Sequence, residues 1–234
     1  MRTEAVALYD KPASISATVW DLPLRVFHWA LVLLFAVAYL SGSRPGYYTV
    51  HKVSGYAILD LLVFRLIWGF VGSGPARFAS FVKGPAAAFG HLKELLQRRH
   101  RPLPGHNPLG GWAVLAILVL LAVQILSGLF ATTFDYEGPL ANLLSDAGQD
   151  MMAGLHAFTV NLLLAVLAVH LIGIAATSLL GRENLVASMI HGRKQLPVAD
   201  LAAVCLVSWW RAAFAVGIAV LAVVLILVLA RLVG

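Results

Sequence analysis

The stretch "HAFTVNLLLAVLAVH", residues 156–170, opens and closes on histidine and is otherwise almost wholly aliphatic. It reads as part of a membrane helix, where an imidazole left without a partner costs roughly 2–7 kcal/mol. Two ionisable side chains inside one such segment are functional candidates by default. At about 100° per residue, His170 comes to within about 40° of His156 on the helix surface. The two lie about 21 Å apart along the axis, within a hydrocarbon core of about 30 Å. One helix thus presents an imidazole on one face near each side of the bilayer.

The rest of the chain supports a membrane setting. Of its 234 residues, 60 % are hydrophobic and 12 % charged, against about 45–50 % and 25 % for soluble domains. The apolar runs are continuous and do not alternate, which selects an all-α integral membrane protein over a barrel. A lone cysteine, Cys205, excludes a disulfide framework, a cysteine-based zinc site and covalent haem attachment through C-x-x-C-H. The net charge of +6 is read through loop positions, and no nucleic-acid partner is inferred from it.

Five segments are long enough to span, roughly 24–42, 50–71, 111–132, 153–179 and 209–231. The first follows a mixed-charge leader and is itself followed at once by the second, which argues for a retained helix over a cleaved signal peptide. The connection 72–110 carries Arg77, Lys83, Lys93, Arg98, Arg99 and Arg101 against Glu94, and 180–208 adds Arg182, Arg193 and Lys194. The connection 133–152 has Asp135, Glu137, Asp146 and Asp150 and no base. The positive-inside rule then puts the N-terminus and both basic connections in the cytoplasm, and the acidic connection and the C-terminus outside. Within the basic connections, 85–99 and 183–191 have the amphipathic spacing of interfacial helices.

Chain direction pairs the histidines by depth. His28 lies near the cytoplasmic entrance of the first helix and His51 near the external entrance of the second. The fourth helix runs inward, so His156 is external and His170 internal. His28 therefore matches His170, and His51 matches His156. Two imidazoles at one depth on different helices make an axial pair for a haem, and two such pairs make a transmembrane electron path. Zinc would be short of ligands at each level, and a proton relay would want acids at matching depth, where Asp60 is the obvious candidate. Four separately hydrogen-bonded histidines remain a further reading, one that leaves the pairing unexplained.

Other residues carry two readings each. Arg65 falls on the His51 face near the depth of His28 and His170, as a propionate partner or as a snorkelling anchor. Arg25 has the same alternatives. Ser54, Gly55, Gly128, Gly154 and Gly173 suit either helix contact or room for a porphyrin. Trp20, Trp29, Trp68, Trp112, Trp209 and Trp210 sit near cytoplasmic helix ends, as an aromatic belt would. His106 and Asn107 belong to a turn that caps the third helix, with a quinone or propionate role as the alternative.

Taken together, "VWDLPLRVFHW" (19–29), "HKVSGYAILDLLVFRLIWGFVG" (51–72), "GHNPLGGWAV" (105–114), the histidines of 156–170 and "RENLVASMIHGRK" (182–194) resemble the bacterial cytochrome b561 family, which includes the b subunits of nickel–iron hydrogenases. The resemblance implies a four-helix transmembrane bundle over 19–194 holding two non-covalent b haems on His28, His170, His51 and His156. It leaves 1–18 as a cytoplasmic segment and 195–234 as a linker and fifth transmembrane helix. It also implies a bacterial inner membrane, with Asp60 standing where a neutral residue is expected. The functional expectation is electron transfer between a membrane quinone pool and a periplasmic redox partner such as a c-type cytochrome. One alternative is the membrane anchor of a larger redox enzyme such as a hydrogenase. Another is a helical transporter or scaffold with structural histidines.

Overall fold

Asp21 opens the first membrane helix: its side chain accepts from Leu24 N at 2.8 Å, and Pro23 fits the first turn, where a missing N–H costs nothing. The structure, a computed structural model, describes residues 14–97, 99, 103–181 and 183–233. Segment 1–13 and Arg98, His100, Arg101 and Arg182 lie outside the described residues. The helices are α1 (Leu22–Gly42), α2 (Tyr48–Val71), α3 (Phe78–Phe81), α4 (Pro85–Leu96), α5 (Pro108–Phe130), α6 (Asp146–Leu180), α7 (Leu185–His191) and α8 (Trp209–Val233). Five of them, α1, α2, α5, α6 and α8, are long and apolar enough to cross a membrane.

The short turn between α1 and α2, with Gly46 at φ 85°, folds them into an antiparallel pair. The α5 and α6 helices form a second pair, and the two meet chiefly through α2 and α5. Phe27, Ile58, Leu62, Leu121, Ile125 and Leu163 are among the residues of the shared core. The α8 helix leans on α2, with Ala215, Ala219 and Val223 at i, i+4 and i+8 buried in that core. Small side chains at this spacing let membrane helices approach closely.

Two features differ from the sequence expectation. The α6 helix begins at Asp146, well before 153, so part of the acidic connection is its first two turns. Ser145 caps it by accepting from Gly148 N, and Asp146 complements the positive end of the helix dipole. At 35 residues the helix is about 50 Å long and outreaches the hydrocarbon core. The other connection elements there are β2 (Thr132–Thr133), paired antiparallel with β3 (Tyr136–Glu137).

The second difference is a longer strand pair elsewhere in this largely helical chain. Strands β1 (Ser14–Thr18) and β4 (Arg193–Pro197) pair antiparallel from Ser14↔Pro197 to Thr18↔Arg193. Val19 and Trp20 continue the contact by donating to the Gly192 carbonyl. Gly192 sits at φ 84°, and a Cβ there would fall 2.7 Å from the Trp20 carbonyl oxygen. Strand β1 ends at the expected segment edge 18/19, and β4 runs across the edge 194/195.

Nor do the tryptophans form one belt. Trp29, Trp112, Trp209 and Trp210 are exposed, as belt residues should be, but Trp20 and Trp68 are buried. Trp68 donates to Asp21 at 3.1 Å, and Trp20 donates to the Ser188 hydroxyl at 3.3 Å. A buried indole needs such a partner for its N–H. The α4 and α7 helices match the expected interfacial segments, with Phe89, Leu96, Val186 and Ile190 exposed.

Candidate functional site

At the acidic end, α2 and α6 bring His51 and His156 together, with ring centroids 6.0 Å apart and planes at 81°. Two imidazoles on opposite sides of one metal ion, at roughly 2 Å per metal–nitrogen bond, have ring centres about 6 Å apart. The Nδ1 atom of His51 is 2.8 Å from the Ala38 carbonyl, and that of His156 is 2.8 Å from the Gln124 carbonyl. With a proton on each Nδ1, both Nε2 atoms are left to bind a metal, the usual way a metal-binding histidine is oriented. The Gln124 amide, itself hydrogen-bonded by the Thr159 hydroxyl, rests against His156 Nε2 at 2.9 Å and must turn aside for any ligand bound there.

These rings face a mainly apolar cleft, lined also by Gly55, Gly128 and Tyr136. Gly128 and Gly42 make room for the rings. An added Cβ would fall 2.9 Å from His156 Cε1 in the first case and 2.7 Å from His51 Nδ1 in the second. Nothing lies within 4 Å of a Cβ added at Gly55, Gly154 or Gly173, and Ser54 is buried. Tyr136, beyond the helix ends, donates to the Gly128 carbonyl at 3.0 Å, and burial pushes its phenol up.

At the basic end, α1 and α6 bring His28 and His170 close enough for their charges to interact, and both act on His106. Nδ1 of His28 is buried and, among the described residues, has no hydrogen-bond partner. His106 lies between Trp20 and Phe81, its ring 4.8 Å from each, with Nδ1 also unpartnered. Desolvation, then the charges of Arg65 and Lys194, push it down to about 3. Asn107 next to it caps α5 by accepting from Gly110 N at 2.7 Å, which is the capping role expected of this turn.

Arg65 is 1 % exposed, so it does not snorkel to the membrane surface. Its guanidinium lies 4.7 Å from the Phe78 ring centre and 5.8 Å from that of Phe81, and among the described residues both Nη atoms lack a hydrogen-bond partner. A buried charge left so needs a counter-group, and a fork of free N–H donors fits a carboxylate. Arg25 has a different role in view: its Nη1 donates to the Ile190 carbonyl at 2.7 Å and ties α1 to α7. Asp60 is half-buried on α2, with Oδ1 lacking a hydrogen-bond partner.

Sequence reading missed Gln124, Thr159, Gly42 and Lys194. Lys194 is buried, 2.6 Å from Glu183, and donates to the carbonyls of Leu103 and Gly105. A polar Gln124 within an apolar run was the visible signal for one of them. Among the described residues, no three His, Cys, Asp or Glu side chains converge as a metal cluster.

The separation of His51 and His156 thus suits a metal held between two imidazoles, and comparison with known proteins supplies the family. The family model described as prokaryotic cytochrome b561 matches residues 19–192. The chain belongs to that family. It is similar to a probable Ni/Fe-hydrogenase B-type cytochrome subunit from Azotobacter vinelandii, 29 % identical over 132 residues, which are 45 % of this chain and 54 % of that one. The chain thus spans about half the length of this curated relative. No solved structure matches it. Membership makes it a multi-pass prokaryotic membrane cytochrome of the b type, with haem b as its cofactor. A transporter or scaffold with merely structural histidines is left without support.

Proposed function

We propose that this chain carries electrons across the bacterial inner membrane through two bis-histidine b haems, His28 with His170 at the basic end and His51 with His156 at the acidic end. The observation that supports it best is the meeting of His51 and His156 from separate helices at 6.0 Å, with each Nδ1 on a backbone carbonyl. Haem would supply one-electron chemistry there, and held by two of these imidazoles it would offer no open place for oxygen. The protein's part is to hold and orient the rings and keep water out. Gln124 and Ser127 border His156, while Arg65 offers its guanidinium to a propionate of the basic-end haem. The partners proposed are the membrane quinone pool and a redox protein on the acidic side, such as a c-type cytochrome, which acidic residues would steer.

A second reading makes the chain the membrane subunit of a larger redox enzyme; the similarity to a hydrogenase cytochrome subunit favours it. Co-purification of a metalloenzyme would select that reading.

The test is the haem-to-chain ratio and the reduced-minus-oxidised spectrum of detergent-purified protein, for the wild type and for His28→Ala, His51→Ala, His156→Ala and His170→Ala. The expected result is two b haems in the wild type and about one in each variant. A folded wild type made with ample haem yet holding none would overturn the reading. Electron exchange with a quinone/quinol couple and with a soluble c-type cytochrome, followed in both directions, tests the partners.

A further inference from the structure

The two histidine levels sit in unlike electrostatic surroundings. At the acidic end both Nδ1 atoms lie on backbone carbonyls, Ala38 for His51 and Gln124 for His156, each at 2.8 Å. A carbonyl that accepts an imidazole N–H makes the other ring nitrogen a stronger donor, which favours the more positive state of a metal held there. The charged residues of that end, Asp135, Glu137, Asp146 and Asp150 against Arg44 and Lys52, work in the same direction.

The basic end is arranged the other way. Nδ1 of His28 meets no carbonyl and is buried unpartnered. Arg65 is buried against Phe78 and Phe81 and acts on His106, as His28 and His170 do, and among the described residues neither of its Nη atoms has a hydrogen-bond partner. Asp21 attracts it but makes no hydrogen bond to it, being engaged by Leu24 N and Trp68. Lys194 is answered by Glu183, whereas among the described residues Arg65 has no such partner at contact distance. A buried cation in low-dielectric surroundings favours the neighbouring state that holds one more electron.

We propose that Arg65 makes the basic-end haem site the higher-potential one, so that an electron entering at the acidic end runs downhill to the basic end. The proposal rests on the two-haem reading above. In that step one electron leaves the acidic-end site, which is oxidised, and reduces the basic-end site; no bond forms or breaks. A propionate resting on Arg65 keeps the same sign, because removing the guanidinium would leave the carboxylate's negative charge uncompensated.

The experiment is an optical redox titration of haem-loaded, detergent-purified protein, after the haem-to-chain ratio has been measured. The wild type should show two midpoints. His156→Ala, which keeps the basic-end haem, should retain the upper one, and His170→Ala the lower one. Arg65→Gln should lower the upper midpoint and leave the other in place, Arg65→Lys should stay near the wild type, and Asp21→Asn should raise the upper midpoint. An upper midpoint retained in His170→Ala would overturn the proposal. So would an upper midpoint that neither Arg65→Gln nor Asp21→Asn moves. Should Arg65→Gln shed a haem, Asp21→Asn decides the effect of charge. A wild type with other than two haems defeats the two-haem reading instead, and the ratio tells the two failures apart.

Discussion

A methyl group at residue 128 would stand 2.9 Å from Cε1 of His156, closer than side chains pack. Because that ring is also held by the Gln124 carbonyl, it cannot yield without losing the bond that orients it. Gly128→Val should therefore displace one axial ligand and leave about one haem per chain, with helix content by circular dichroism unchanged. Gly217→Ala, on α8 with nothing within 4 Å of the added Cβ, should keep the wild-type ratio. His106 offers a different residue-scale test. Its folded pKa is held far below the ordinary value of 6.5 by desolvation and by Arg65 and Lys194. An unfolded chain binds the proton that the folded one refuses, so this stability is full above about pH 6.5 and is lost as pH falls towards 3. The slope is on the order of 1 kcal/mol per pH unit. Thermal unfolding in detergent at pH 7 and pH 4.5 should show a smaller acid loss in His106→Phe than in the wild type.

At the scale of elements, what could be read from the sequence followed from local period and length. The five spans and both interfacial helices appear where their apolar spacing puts them, since burial in lipid depends on each segment alone. The face shared by His156 and His170 follows from helical rotation in the same way. The early start of α6 was hidden by "SDAGQD", whose acids read as loop although Ser145 and Asp146 are also good helix-start residues. The β1–β4 ladder could not be read at all, because neither strand is amphipathic enough to announce a partner nearly the whole chain away. The same long-range closure buries Lys194 against Glu183 and Trp20 against Ser188, which local spacing places on a basic surface and in a belt. Lys194→Met removes the cation from a buried pair, for which about 3 kcal/mol of stability is a reasonable scale. The loss should appear as a lower thermal midpoint in detergent, and Lys194→Met with Glu183→Gln should recover part of it. Equal midpoints for the wild type and Lys194→Met would show that the strand pair is held by its backbone ladder.

At the scale of the whole molecule, the proposed direction of electron flow and the orientation expected from the positive-inside rule both rest on where the charges lie. The connection with Arg77, Lys83 and Lys93 resists crossing the membrane during insertion, and the one with Asp135 and Glu137 does not. Cys205, exposed and the only cysteine in the sequence, lies on the basic side just before α8 and reports its position directly. In intact spheroplasts, a membrane-impermeant maleimide should leave the wild type unlabelled until the membrane is opened. Asp135→Cys with Cys205→Ser should be labelled from outside at once, provided that the loss of the Tyr48–Asp135 hydrogen bond at 2.9 Å leaves the haem ratio intact. Labelling in the reverse order would put the basic end outside. The difference in potential argued from Arg65 would keep its sense along the molecule, since that depends on local charges. Its sense across the membrane would reverse, so that electrons would run outward towards the basic end and the quinone and soluble-protein partners would have to exchange faces.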